Sequence, residues 1–115
     1  MIAIVETARA LENLDAIVSA PGLDIAWMGH YDLTVSLGIP AQFDHPRFLE
    51  AMSALVTSCR QHGVTAGFLP ASAEDTVHWI QQGFRAISLG TEVGMYVKAV
   101  SQFHSAVLRQ VEAFQ

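Results

Sequence analysis

The chain has 115 residues, 51% of them hydrophobic and only 15% charged, which suits one domain (1–115) with a sizeable buried core. A net charge of −5 with only six Lys and Arg leaves no basic footprint for nucleic acid. The apolar runs are too short for a membrane span and no signal-peptide pattern opens the chain, so the expected setting is the cytoplasm, with no membrane partner.

Ile2 to Val5 reads as a short buried strand, with Glu6 at its end. Thr7 is a suitable helix N-cap, and Leu11, Leu14, Ile17 and Val18 repeat at helical spacing until Pro21-Gly22. Leu23 to Met28 is a second strand, closed by Gly29, where a tight turn is expected. Leu33 to Leu37 follows as a short turn. Asp44, His45 and Pro46 open a long helix with an apolar face of Phe48, Leu49, Met52, Leu55, Val56 and Cys59, stopped by Gly63. Cys59 is the single cysteine, so no internal disulfide can form. Val64 to Leu69 is the third strand, ended by Pro70. Ser72 and Asp75 have capping-box spacing for a third helix that presents Val77 and Ile80 and stops at Gly83. Phe84 to Leu89 is the fourth strand, and a last helix runs from near Thr91 to Ala113.

Helix, glycine and about six strand residues recur at Gly22, Gly63 and Gly83. Strands that alternate with helices imply an α/β fold with a parallel sheet. A complete (β/α)₈ barrel typically needs about 250 residues, so four βα units in this length match half of a TIM-type barrel with a long C-terminal helix. Open sheet edges invite association, so a partner for the chain is expected.

Val5-Glu6-Thr7, Asn13 to Ile17, Pro21 to Asp24, and Gly29-His30-Tyr31-Asp32-Leu33-Thr34 with the residues up to Gly38 resemble the HpcH/HpaI aldolase family of class II, metal-dependent pyruvate aldolases. His45-Pro46 and Gly67-Phe68-Leu69 also fall where that family has such residues. The match corresponds to the C-terminal half of the family's barrel. The resemblance implies that Glu6 and Asp32 hold a divalent cation such as Mg²⁺, Mn²⁺ or Co²⁺. It implies that the backbone at Gly29 and Tyr31 holds the pyruvate carboxylate, with His30 at the same mouth. It also implies that Leu69 stands beside the acceptor aldehyde. The family's general base, a His, and its enolate-steadying Arg belong to the N-terminal half, so no residue of this chain is assigned as catalytic. The family usually has Pro at His30 and a small residue at Tyr31, so this chain departs from the pattern at the acceptor side. The family exchanges its last helix between subunits. The breadth of the apolar face from Val93 to Val111 agrees with a homo-oligomer.

Residues just past a parallel strand's C-terminal end line the mouth of such folds, where Glu6 and Asp32 both stand. Oxygen-only ligation, completed by water and substrate, suits Mg²⁺ or Mn²⁺. Such an ion stabilises a pyruvate enolate as a Lewis acid, the chemistry of cleaving or forming 4-hydroxy-2-oxo acids. Simpler roles stand beside these. Glu6 could serve a helix dipole, Asp32 could cap the turn 33–37, and His30 could pack on Tyr31. Two other functional readings compete: a citryl or malyl thioester lyase, and a self-associating half-barrel without turnover.

Overall fold

In a computed structural model of the chain, which describes residues 1–114, four strands form one parallel sheet. They are β1 (Ile2–Val5), β2 (Ile25–Met28), β3 (Thr65–Phe68) and β4 (Ala86–Ile87), in the order β1-β2-β3-β4. Ile4, Trp27, Gly67 and Ala86 lie side by side across it. Each strand is added to the same edge, as in an arc of a (β/α)₈ barrel, whereas a doubly wound sheet reverses its order at a switch point. The expected α/β half-barrel topology is therefore present.

The strands are shorter than the runs 23–28, 64–69 and 84–89. The Leu23 N–H closes a turn onto the Ala20 carbonyl (3.3 Å), and the Phe84 N–H bonds back to Trp79 (3.1 Å). Pro70, after Leu69, has no N–H for a ladder. The first helix also departs from expectation. It divides into α1 (Ala8–Glu12) and α2 (Leu14–Val18) at Asn13. The Asn13 side-chain amide donates to the Arg9 carbonyl (2.8 Å), taking an acceptor at the end of α1.

The remaining helices are α3 (His30–Ser36), α4 (Pro46–His62), α5 (Ala73–Gln82) and α6 (Glu92–Glu112). Their ends follow local chemistry. Thr7, Ser72 and Thr91 accept N–H bonds from Ala10, Asp75 and Gly94, and the His45 Nδ1 accepts from Arg47. Gly63 and Gly83 close α4 and α5 in the left-handed region, at φ +69° and +116°.

Alternation along the strands divides the sheet into two faces. Val5, Ala26, Met28, Ala66 and Phe68 point to the helical side and are buried there. They meet Phe48, Met52 and Leu55 of α4, Leu33 of α3, and Trp79 and Phe84 at the α5 end. Each of the larger of these side chains contributes about 1.5–3 kcal/mol by leaving water. Leu49 of α4 is 43% exposed, and Val77 and Ile80 of α5 are exposed while Trp79 is buried, so three expected apolar positions are rotated outward. The opposite face carries Ile2, Ile4, Ile25, Trp27, Thr65 and Gly67, and among the described residues no helix covers it. Ile4 is 59% exposed. A complete barrel turns this face inward.

The last helix buries none of its residues. Tyr96, Val97, Val100, Phe103 and Val107 are all exposed, and the molecule extends 65 Å along its longest axis. Among the described residues α6 therefore buries no side chain against its own sheet. No helix among the described residues is long and apolar enough to cross a membrane.

Candidate metal and substrate site

Glu6 leaves the end of β1 just where the chain of β2 passes it. Val5 is in register with Met28, and the Gly29 N–H extends the ladder to the Val5 carbonyl (2.9 Å). The Glu6 side chain then folds over the Gly29 Cα. A Cβ at Gly29 would lie 2.7 Å from the Glu6 Cβ and 3.0 Å from its Oε2. Gly29 has φ −83°, so left-handed backbone is not what demands a glycine there. The chain does turn sharply there, at φ −83° and ψ 73°, but what demands a glycine is space for Glu6.

Asp32 occupies the first turn of α3, whose N-cap is Gly29. The helix begins at His30 rather than after Asp32, so His30, Tyr31 and Asp32 are first-turn residues and not a loop ahead of a turn at 33–37. Glu6 and Asp32 thus stand at the same, C-terminal, edge of the sheet, joined through Gly29. Glu6 is half-buried and Asp32 exposed. Neither forms an ion pair among the described residues. No group of three or more His, Cys, Asp and Glu gathers there among them, so the two carboxylates are the available charged donors. That donor set fits a hard, oxygen-ligated cation with water or substrate in the other positions, and not a closed zinc site.

The rest of the Gly29 to Ser36 segment holds these groups in place. Leu33 and Thr34 are fully buried. The Thr34 hydroxyl donates to the Tyr31 carbonyl (2.7 Å) and accepts from the Ala41 N–H (3.0 Å). The Ser36 hydroxyl accepts from the Ala8 N–H (3.0 Å), which ties α3 to the Glu6-Thr7 corner. Arg47 donates to the Leu37 carbonyl (2.8 Å) and pins the other end of α3 to α4. The Leu-Thr-x-Ser part of the motif therefore positions the acidic residues.

His30, Tyr31 and Leu69 share a cavity of ≈ 220 Å³ next to that corner. The His30 ring lies 4.9 Å from Phe68, 4.6 Å from Tyr31 and 5.4 Å from Phe43. Burial lowers the His30 pKa, and the Met28 carbonyl and the Asp75 and Asp32 charges offset only part of that. Phe43, Asp75 and Trp79 also line the cavity and were not singled out for it from sequence. Asp75 had a signal, its spacing from Ser72. Its Oδ2 accepts from the Ala71 N–H (2.9 Å) while its own N–H is capped by Ser72. Phe43 lies in an aperiodic segment and had none. Larger hollows of ≈ 400 and ≈ 590 Å³ lie along α4 and hold none of the candidate residues.

Other polar residues have structural duties. His45 caps α4, and His62 pairs with Asp15 (2.6 Å). Asp24 binds the N-terminal amine, and Arg85 donates to the Ile80 and Phe84 carbonyls.

A parallel arc with its acidic residues at the strand ends places the molecule among the TIM-barrel proteins. More particularly, the chain belongs to the HpcH/HpaI aldolase/citrate lyase family, whose model matches residues 1–99. It is 36% identical over 101 residues to a 2-keto-3-deoxy-L-rhamnonate aldolase from Klebsiella pneumoniae subsp. pneumoniae, covering 85% of this chain and 37% of that one. Among solved structures it is similar to the citrate synthase SbnG (TM-score 0.86, 27% identity, 96% of this chain and 45% of that chain). It is equally similar to an HpcH/HpaI aldolase/citrate lyase family protein from Burkholderia cenocepacia J2315 (TM-score 0.86, 28% identity, 92% and 41%). The chain thus spans less than half the length of these relatives. The names of these relatives are those of aldolases, citrate lyases and a citrate synthase.

Proposed function

We propose that this chain carries the metal- and substrate-binding part of a pyruvate aldolase that cleaves or forms 4-hydroxy-2-oxo acids. The observation that carries the reading is Glu6 folded over Gly29 at the head of the helix that bears Asp32. Glu6 and Asp32 would hold Mg²⁺, Mn²⁺ or Co²⁺. When bound, the cation supplies Lewis-acid polarisation of the 2-oxo acid. Backbone from Gly29 to Tyr31 faces the substrate carboxylate. Leu69 and His30 bound the acceptor side, where the imidazole offers hydrogen-bonding nitrogens.

The enzyme would work in the cytoplasm as a homo-oligomer, with α6 laid on a neighbouring subunit; the wholly exposed apolar face of that helix supports this. The bare inner face of the sheet supports a second reading, a self-associating half-barrel without turnover. A citryl or malyl thioester lyase is less well supported, since six Lys and Arg offer little for a CoA tail. The test is pyruvate release from a 4-hydroxy-2-oxo acid with Mn²⁺. It is run on this chain alone and on the chain mixed with the N-terminal half of a full-length relative. Release in the mixture that vanishes with Asp32→Asn supports the aldolase. A folded, Mn²⁺-loaded mixture that releases none supports the half-barrel without turnover.

A further inference from the structure

We propose that the cavity beside Leu69 is a side-chain pocket for the acceptor aldehyde, and that it selects a neutral aldehyde carrying one apolar ring. Its role as an acceptor pocket rests on the aldolase reading; its affinity for a ring does not.

Size comes first. An apolar cavity of about 150 Å³ admits benzene, so ≈ 220 Å³ has room for one six-membered ring and a short linker, and not for two rings. The walls come next. Phe68, Phe43 and Trp79 present ring edges and faces to the space, and Phe43 meets Tyr31 edge-to-face at 5.1 Å. Phe68 meets Trp79 in the same way at 5.5 Å. A further ring can join this set in the offset or T-shaped geometry that aromatic groups prefer. Charge decides the rest. No Lys or Arg lines the cavity, while Asp75 does. An acceptor with a carboxylate or phosphate would lose its hydration and meet a like charge. A polyhydroxylated acceptor would leave most of its hydroxyls facing carbon.

The experiment uses the whole chain and benzyl alcohol, an unreactive stand-in for a ring-bearing aldehyde. Indole N–H signals are followed by nitrogen-15 NMR. Trp79 lines the cavity, whereas Trp27 lies across Gly67 on the other face of the sheet. The expected result is a saturable shift of the Trp79 signal with Trp27 unmoved. Propane-1,2-diol and 4-hydroxybutyrate should each bind at least about tenfold more weakly. Ala71→Leu fills the pocket from its exposed loop and should weaken benzyl alcohol at least about tenfold, with Mn²⁺ binding unchanged. Ala71→Val is read alongside as a smaller step, so that one misfolded variant does not decide the matter. No saturable Trp79 shift, equal binding of the three probes, or indifference of both folded variants would overturn the proposal. Failure of Mn²⁺ binding alone, with the ring still bound, counts against the aldolase reading and leaves the pocket standing.

Discussion

The two faces of the sheet are built from the same four strands and meet opposite fates. On one face Val5, Met28 and Phe68 disappear beneath α3, α4 and α5. On the other Ile2 and Ile4 stay exposed, while Trp27 and Ile25 lie over Gly67. The helices close over a face whose partners are nearby in sequence. The bare face, like α6, presents apolar side chains that nothing else in the described residues covers. Stability of this chain should therefore reside in the covered face, and association in the bare one.

The largest expected effect tests that division. Phe48→Ala removes a side chain 1% exposed and should cost about 3–5 kcal/mol in urea unfolding. Ile4→Ala, on the bare face, should cost less than about 1 kcal/mol. Comparable losses would mean that the bare face is already packed in solution. Next comes the corner where the faces meet the acidic residues. Gly29→Ala drives a methyl against the Glu6 Cβ and Ile4, and should cost about 1–3 kcal/mol together with Mn²⁺ affinity. Thr7→Ala removes the cap of α1 and should cost about 1 kcal/mol. Phe103→Asp on α6 should leave unfolding within about 0.5 kcal/mol and shift sedimentation toward the monomer.

The smallest effect is a matter of pH. Burial pushes the Cys59 thiol up to about 11 from an ordinary 9.0. The folded state then holds its proton more tightly than the unfolded one. Stability from this group is complete below pH 9 and is lost as pH rises toward 11. At pH 8 the thiol should resist disulfide reagents until urea unfolds the chain.

Much of this division could be read from residues alone. Glycines at 63 and 83 mark where helices stop because each caps its helix at positive φ, whereas α2 already ends at Ser19, ahead of Gly22; Ser72 and Thr7 mark where others start. These signals are local and survive without tertiary context. The failures came where tertiary contact decides. Nothing local shows that Trp79, rather than Val77 and Ile80, would face the core, because the α5 pattern admits either rotation. The break at Asn13 is a local matter instead, since its amide bonds the Arg9 carbonyl while the apolar spacing runs on through it. At Gly29 the residue type was informative but its reason was not. Only the sheet register brings Glu6 over it. The acidic corner was legible through family likeness; the ring-lined cavity was not, because Phe43 and Trp79 reach it from separate segments.

The most direct measurement is a Mn²⁺ titration of the chain in the presence of pyruvate, followed by calorimetry, for the wild type, Glu6→Gln and Asp32→Asn. The account predicts one Mn²⁺ per chain and a loss of at least about tenfold in affinity in each variant, with circular dichroism unchanged. Stoichiometric binding that survives both substitutions, or no binding by the folded wild type, would contradict it.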